Sequence, residues 1–249
     1  AIAWLSLNDR QDCCEGPMEQ GDRVVLPSGR PTLGLMSGLP LYWPLDASFD
    51  QIAQGSYDPP WFRDRVEAHY ELIPVDTLSP IAPLVEGGEQ SDPLKGIERL
   101  AIIQPRGLSP QDNVALDNWV SAGGHLLLAL DPALTGHYEV PIGDPRHPSV
   151  TALIPPVLAK WGMKIVFDED QSQELGFDAV MGREFPVHLA GKIGVDETSC
   201  EASGQGAIVR CPVGEGYVTV IADAAIFEHA ELAGLNGEVV IALMDYAFQ

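Results

Sequence analysis

The feature that most constrains the fold is a strand, a helix and a second strand in direct succession between residues 97 and 131. The run IERLAIIQP predicts a buried strand that a proline ends. Ser109 followed by Pro110 predicts the start of a helix, since serine caps helices and proline is favoured at the first helical position. A Gly-Gly pair ends this helix, and the aliphatic run HLLLALD then predicts a strand that is covered on both faces. Because a short helical connection joins them, the two strands should lie parallel in one sheet.

The remaining sequence predicts further elements around this unit. Residues 1–30 are rich in polar, glycine and proline residues, and we expect them to form an irregular lead-in to a single domain over residues 31–249. Short extended pieces that alternate with turns predict an inserted or added β section around residues 171–213. We expect residues 46–60 to form a loop. Other predicted strands cover 32–36, 71–76 and 163–170, and two more lie on either side of a turn at 212–216. The predicted helices cover 61–70, 150–162 and 237–248.

The segment IIQPRGLSPQDNVALDNWVSAGGHLLLALDP resembles the extracytoplasmic domain of gliding-motility-type auxiliary components of ABC transporters. These domains belong to a wider group of glutamine-amidotransferase-like, flavodoxin-like domains. Together with LIPPVLAKWGMKIVFDE, GEGYVTVIADAAIFEH and NGEVVIALMDYAF, the resemblance covers roughly residues 97–170 and 214–248. It implies an α/β three-layer sandwich with a mainly parallel, flavodoxin-like sheet of the class I glutamine amidotransferase type. The section at 171–213 would supply a small antiparallel addition.

The resemblance also identifies the turn at which a catalytic nucleophile would stand. A working glutamine amidotransferase has a cysteine on a sharp turn directly after a central strand, with a histidine and a glutamate further along. The matching turn reads Gln104-Pro105-Arg106-Gly107 and offers no thiol or hydroxyl. We therefore predict no catalytic residue, and a non-catalytic binding or scaffolding domain of a membrane-associated protein whose partners are ABC-type permease or ATPase subunits. The alternative is a hydrolase- or amidotransferase-like enzyme with an unrecognised active site.

Asp131 and Asp223 follow predicted strands at the edge where open parallel sheets bind ligands. Two interpretations of these carboxylates are open. In one, a pocket for a small ligand or peptide is lined by Gln104, Arg106, Asp131 and Asp223. In the other, which we favour, Asp131 only caps the turn that follows it, with Pro132 fixing the backbone.

Metal ligands and aromatic residues give weaker signals. His125, His137 and His147 cluster in sequence with Asp131 and Asp144, but a metal site needs about three converging side chains and none of these spacings is diagnostic. Six residues of strand separate His125 from Asp131 by roughly 20 Å, at a rise of about 3.3 Å per residue. We predict no metal.

One set of aromatic residues is expected to pack in the core and loops, with any exposed part open to a partner: Tyr42, Trp43, Tyr57, Trp61 and Phe62.

The chain is strongly acidic, with 36 Asp and Glu residues against 14 Lys and Arg residues and a formal net charge of −22. Such a field repels phosphate backbones and anionic headgroups. We therefore predict no nucleic-acid partner, and membrane contact only through an anchor outside this chain. The pairs Gly87-Gly88 and Gly123-Gly124 lack the lysine and hydroxyl residue that follow in a phosphate-binding loop, so no cofactor is predicted.

Cys200 and Cys211 bracket the segment EASGQGAIVR, whose glycines permit a tight reversal between two extended arms. Opposed cysteines on such arms lie within disulfide range, which favours an oxidising compartment; two free thiols in a cytosolic protein are the alternative. Cys13 and Cys14 have no zinc or redox spacing, and the sequence leaves open whether they are paired.

The predicted location follows from the cysteines, the resemblance and the first residues. The apolar stub of AIAWLSLNDR is compatible with the end of a removed signal or anchor helix, and also with an arbitrary boundary. We favour the anchor. The expected location is therefore periplasmic or extracytoplasmic with a tether to the inner membrane, and the alternative is cytoplasmic.

Overall fold

The computed structural model describes residues 29–83, 85 and 87–249. Residues 1–28 of the predicted lead-in, with Cys13 and Cys14, lie outside this part of the chain. The strands are β1 Thr32–Ser37, β2 Glu71–Pro74, β3 Arg99–Ile103, β4 His125–Ala129, β5 Met163–Val166, β6 Gly176–Val180, β7 Arg183–Val187, β8 Lys192–Val195, β9 Glu201–Ala202, β10 Ile208–Val213 and β11 Gly216–Ile221. The helices are α1 Phe49–Gln54, α2 Trp61–Val66, α3 Pro110–Ser121, α4 Pro156–Lys160, α5 Ala225–Glu228 and α6 Glu238–Ala247.

The largest sheet has seven strands in the order β2-β1-β3-β4-β11-β10-β9. The strands from β2 to β11 in this order pair in parallel, and β10 and β9 continue the sheet in antiparallel pairing. Two further sheets each have two antiparallel strands, β5 with β8 and β6 with β7. The predicted parallel pairing of the two strands around α3 is confirmed, with Ile103 opposite Ala129.

The predicted fold class, a three-layer sandwich with a mainly parallel flavodoxin-like sheet of the class I glutamine amidotransferase type, is wrong. The main sheet is mixed, and β5 to β10 all pair only in antiparallel fashion, so the antiparallel part is not a small addition. Tight turns explain two of these pairings, β6 with β7 and β10 with β11, because a connection of two residues joins only antiparallel neighbours. Met181 and Gly182 connect β6 to β7 with φ of 53° and 74°, the positive values that a tight hairpin turn needs.

The core lies on both faces of the main sheet. Successive residues of a strand point to opposite faces, so Ile103 packs with one cluster and its neighbour Ile102 with the other. The first cluster includes Phe62 of α2 and Phe227 of α5, and the second includes Leu116 of α3. Burial on both faces explains why β3 and β4 are continuous aliphatic runs.

The first turn of α3 forms as its sequence predicts. The Ser109 side chain accepts the Asp112 N–H at 3.0 Å, and the Asp112 carboxylate accepts the Ser109 N–H at 3.2 Å, which is a reciprocal cap. Asp112 also accepts N–H groups of Leu78 and Ser79 and the Thr77 hydroxyl. Burial alone would raise the pKa of Asp112, but these hydrogen bonds outweigh it and lower that pKa. One carboxylate therefore holds both the helix start and the connection before β3.

Three predictions about helices differ from the structure, and the first is the helix over 61–70, which ends at Val66 as α2. The predicted helix over 150–162 shrinks to α4, because Pro155 is its cap and the backbone before a proline disfavours helix. The predicted loop over 46–60 contains α1, which a reciprocal cap between Ser48 and Gln51 starts.

Candidate ligand-binding cleft

Asp131 and Asp223 lie at the carboxyl ends of the neighbouring strands β4 and β11, and both side chains are fully buried. Every oxygen of the two carboxylates accepts a backbone N–H. Asp131 accepts from Ala133 at 2.7 Å and from Ala224 at 2.8 Å. Asp223 accepts from Ala225 and from His188, each at 2.7 Å. The bond from Ala133, two residues on, is the turn cap that we expected of Asp131.

Burial and neighbouring carboxylates raise the free-energy cost of ionising both Asp131 and Asp223. Burial raises the pKa of Asp131 to about 7, and the charge of Glu228 adds to the rise against the lowering effect of the two N–H donors. Burial, followed by the charge of Asp131, raises the pKa of Asp223 well above its ordinary value. Elevated carboxyl pKa values are common at catalytic sites, but structural networks produce them too.

Glu228 is the last residue of α5, the helix that follows β11, and it bonds the loop after β4. Its carboxylate accepts the N–H groups of Thr135 and Gly136 at 3.1 and 3.0 Å and the hydroxyl of Tyr138. Burial, and then the hydrogen bond to Glu228, raise the pKa of Tyr138. The carboxylates at this end of the sheet therefore act as acceptors for loop backbone.

Gln104 occupies the turn where the resemblance would place a nucleophile. Its φ is 44°, an uncommon value for a residue other than glycine, and its side chain is fully buried. The amide donates to the carbonyls of Asp131 and Ser149 and accepts the Asp131 N–H. Gln104 thus points inward and joins two loops.

A cleft of about 730 Å³ opens at the carboxyl ends of β1, β2 and β3. Arg106 lines it, whereas Gln104, Asp131 and Asp223 do not, so the four residues proposed for one pocket do not line this cleft together. The apolar part of its wall comes from β1 and the connection after it: Leu35, Met36, Leu39, Tyr42, Trp43 and Phe49. Most of the lining residues were not singled out as a site, because they come from four connections that are distant in sequence.

Aromatic residues form a rigid side of this cleft. The rings of Tyr42 and Trp43 contact edge to face with centroids 4.8 Å apart, and Tyr57 contacts Trp43 at 5.8 Å. The Arg63 guanidinium lies 4.1 Å from the centre of the Tyr42 ring, and also bonds Glu67 and the Tyr57 hydroxyl. Trp43 is 42% exposed and Phe49 is 92% exposed, so apolar surface faces solvent at the mouth.

The cleft has four charged residues in its wall, and two of them are already satisfied. Asp112 accepts the hydrogen bonds that hold α3, and Arg146 makes a two-point contact with Asp144 at 2.9 and 3.1 Å. The side chains of Asp76 and Arg106 are exposed and make no hydrogen bond or ion pair with any residue that the structure describes. Among the charged groups of this wall, Arg106 and Asp76 are therefore the two without a partner in the described part of the chain.

The sequence grouped His125 and His147 with Asp131, but in the described residues neither ring bonds this carboxylate. His125 begins β4, at the opposite end of this strand from Asp131, and its ring contacts Tyr217. His147 contacts Tyr138, and His229 bonds Thr135. Within residues 29–249, as far as the structure describes them, no group of three or more His, Cys, Asp or Glu side chains is placed to hold a metal ion.

The structure contains a disulfide between Cys200 and Cys211, as one of the two interpretations of these residues predicted. Cys211 lies on β10 and is buried against Met163. Among the helices in the described part of the chain, none has the length and apolarity that crossing a bilayer requires. The disulfide is compatible with an extracellular or other oxidising location.

No protein-family model matches this chain, and no curated protein matches it significantly. Among solved structures, it is similar to the exo-β-1,4-mannosidase Op5Man5 from Opitutaceae bacterium strain TAV5, with 13% identity, a TM-score of 0.49 and coverage of 87% of this chain and 35% of the enzyme. A cold-adapted β-galactosidase from Rahnella sp. R3 has 12% identity, a TM-score of 0.47 and coverage of 87% and 31%. A cytoplasmic protein from Salmonella typhimurium has 10% identity, a TM-score of 0.48 and coverage of 87% and 98%. This chain spans about a third of the two glycosidases, and with TM-scores below 0.5 these likenesses establish neither a fold nor an activity.

Proposed function

We propose that this chain is a non-catalytic binding domain and that the cleft beside β1 holds its ligand or partner segment. The observation that carries the proposal is Arg106, which has no partner among the residues that the structure describes and lies in a cleft with apolar and aromatic walls. Binding sites are typically concave, mostly apolar and equipped with a few polar groups that orient the ligand.

The hydroxyl groups of the serines in the cleft wall support binding over covalent chemistry. Ser37 Oγ donates to the Ile103 carbonyl and accepts the Leu39 N–H, and Ser48 Oγ accepts the Gln51 N–H. Within residues 29–249, as described, neither hydroxyl bonds a histidine or a carboxylate, and a serine nucleophile needs a base within hydrogen-bond reach. Both side chains serve the backbone around them.

The alternative, a hydrolase- or amidotransferase-like enzyme, draws on the raised pKa values of Asp131 and Asp223. Against it, both carboxylates are fully buried and each of their oxygens already accepts a backbone N–H. A general acid or base must reach the proton that it transfers. We therefore assign this pair to holding loops.

The setting that we propose is outside the cytoplasmic membrane, tethered through an anchor outside this chain and beside an ABC-type transporter. The Cys200–Cys211 disulfide supports an oxidising compartment. The transporter partner rests on the resemblance of residues 97–170 and 214–248 alone.

Two experiments test the proposal. A turnover screen with acyl esters, amides and phosphate esters should find no activity. Turnover by the parent protein that Asp131→Asn abolishes would show instead that the protein is an enzyme.

The second experiment tests the partner. A photoreactive amino acid replaces Trp43 in the cleft or, as a control, the exposed Glu184, and cells are irradiated. We expect a cross-link to a permease subunit from position 43 alone, because the ATPase subunits lie on the opposite side of the membrane from the proposed location. A cross-link from position 43 to another class of protein would contradict the transporter role.

A further inference from the structure

We propose that the ligand of the cleft is a short peptide with free termini and a large apolar side chain, whose carboxylate binds Arg106 and whose ammonium binds Asp76. This inference rests on the proposed function, because it names the ligand of the same cleft. The unpaired charges in the wall carry it: within the described residues, each of the other two charged groups is already bonded.

The sheet places the two free charges on either side of β1. Asp76 follows β2 and Arg106 follows β3, and β1 lies between these strands in the sheet. Two strand spacings of about 4.8 Å separate the chain ends by roughly 10 Å. An extended peptide of two or three residues spans about 7 to 10 Å, so it is long enough to reach from the end of β2 to the end of β3.

The Arg106 side chain passes beside Gly38, just after the end of β1. A Cβ at Gly38 would lie 3.5 Å from Arg106 Cγ, an ordinary contact distance, so the aliphatic stem of the arginine lies next to this glycine. Arg106 lines the cleft from there. A guanidinium is suited to a carboxylate because it donates two parallel hydrogen bonds.

The apolar wall of the cleft favours a ligand with a large apolar side chain. Trp43 and Phe49 are exposed at the mouth, and the Tyr42–Trp43–Tyr57 contacts fix the aromatic side before anything binds. An aromatic or large aliphatic side chain gains most from such a surface. The net charge of −22 disfavours a ligand with only negative charge, whereas a peptide with one charge of each sign is neutral overall.

The test compares three forms of one dipeptide, phenylalanyl-alanine: the free form, the N-acetylated form and the C-amidated form. Binding is followed by calorimetry and by Trp fluorescence. We expect the free form to bind, and each blocked form to bind roughly tenfold more weakly or worse, since a hydrogen bond between charged groups is lost. Arg106→Gln should remove the preference for a free carboxylate, and Asp76→Asn the preference for a free amine. Arg183→Gln, an exposed residue outside the cleft, should change neither.

Equal binding of all three forms, or no binding of any, would overturn the peptide inference. Neither result contradicts the binding-domain proposal, because a different experiment tests that proposal: it would be contradicted by the detection of turnover. Preferences that survive in both Arg106→Gln and Asp76→Asn would place the peptide elsewhere and would also overturn the inference.

Discussion

The side-chain amide of Gln104 forms hydrogen bonds with both the carbonyl and the N–H of Asp131. Its Nε2 donates to the Asp131 carbonyl at 3.1 Å, and its Oε1 accepts the Asp131 N–H at 2.8 Å. A third bond, to the Ser149 carbonyl at 3.0 Å, includes the long loop after β4. The residue at the turn where an amidotransferase would hold its nucleophile is thus a buried connector of β3, β4 and that loop.

Gln104→Leu should therefore destabilise the protein strongly. The substitution leaves the Asp131 N–H and the partly buried Ser149 carbonyl without the partner that Gln104 provides, at about 1–3 kcal/mol for each unsatisfied group, whereas the Asp131 carbonyl still accepts the Ala152 N–H. We expect a loss of about 3 kcal/mol or more in the free energy of unfolding, measured by urea denaturation. Gln111→Leu on the exposed face of α3 is the matched control and should cost less than about 0.5 kcal/mol. Similar losses in the two variants would contradict the connecting role.

Stability should fall as the pH rises through neutrality. Asp131 has an ordinary pKa of 3.8 and a pKa of about 7 in the folded protein, so the folded state binds more protons between these values. The stabilisation is complete below about pH 4 and is lost as the pH passes 7; a shift of about three units corresponds to at most about 4 kcal/mol.

Asp131→Asn isolates this effect. Asparagine cannot ionise but offers one acceptor fewer, so the variant should be destabilised at pH 5. Its deficit should shrink by about 2–3 kcal/mol at pH 8, because about two units of the pKa shift lie between pH 5 and pH 7. Urea denaturation at both pH values measures the change. Glu197→Gln removes an exposed carboxylate and should show a similar difference from the parent at both pH values. An Asp131→Asn deficit that does not vary with pH would rule out the raised pKa.

Gly38→Ala should disrupt the floor of the cleft. A Cβ at this position would lie 2.1 Å from the backbone oxygen of Gln104, so the connections after β1 and β3 must separate. We expect a loss of about 2–4 kcal/mol in thermal or urea unfolding. Gly176→Ala on β6, where the nearest contact of a Cβ would be 3.6 Å, is the control and should be nearly neutral. Equal stability of the two variants would show that the close approach is absent.

Reduction of the Cys200–Cys211 disulfide should lower the thermal stability. The bond joins residues 11 apart in sequence, and a loop of this size is worth about 3 kcal/mol through the entropy of the unfolded chain. The double variant Cys200→Ser with Cys211→Ser should lose a similar amount and should no longer respond to reductant at these positions. Four free thiols in unreduced, denatured protein would contradict both the bond and an oxidising compartment.

The sequence by itself determined the local elements whose signals lie within a few residues. Ser109, Pro110 and Asp112 specify the start of α3 through contacts inside one turn, and the same holds for the turn cap of Asp131. The reversal between Cys200 and Cys211 is local too, which is why their pairing was open to prediction.

Only the tertiary structure decided which strands pair and which polar groups are buried. The continuous aliphatic runs of β3 and β4 indicate burial but not their neighbours, and the pairing of β5 with β8 depends on packing between segments distant in sequence. Gln104 and Arg106 are two residues apart, yet one is fully buried and the other lines the cleft. The cleft itself combines Trp43, Asp76 and Arg106 from three connections, because the carboxyl ends of neighbouring parallel strands meet at one edge of the sheet.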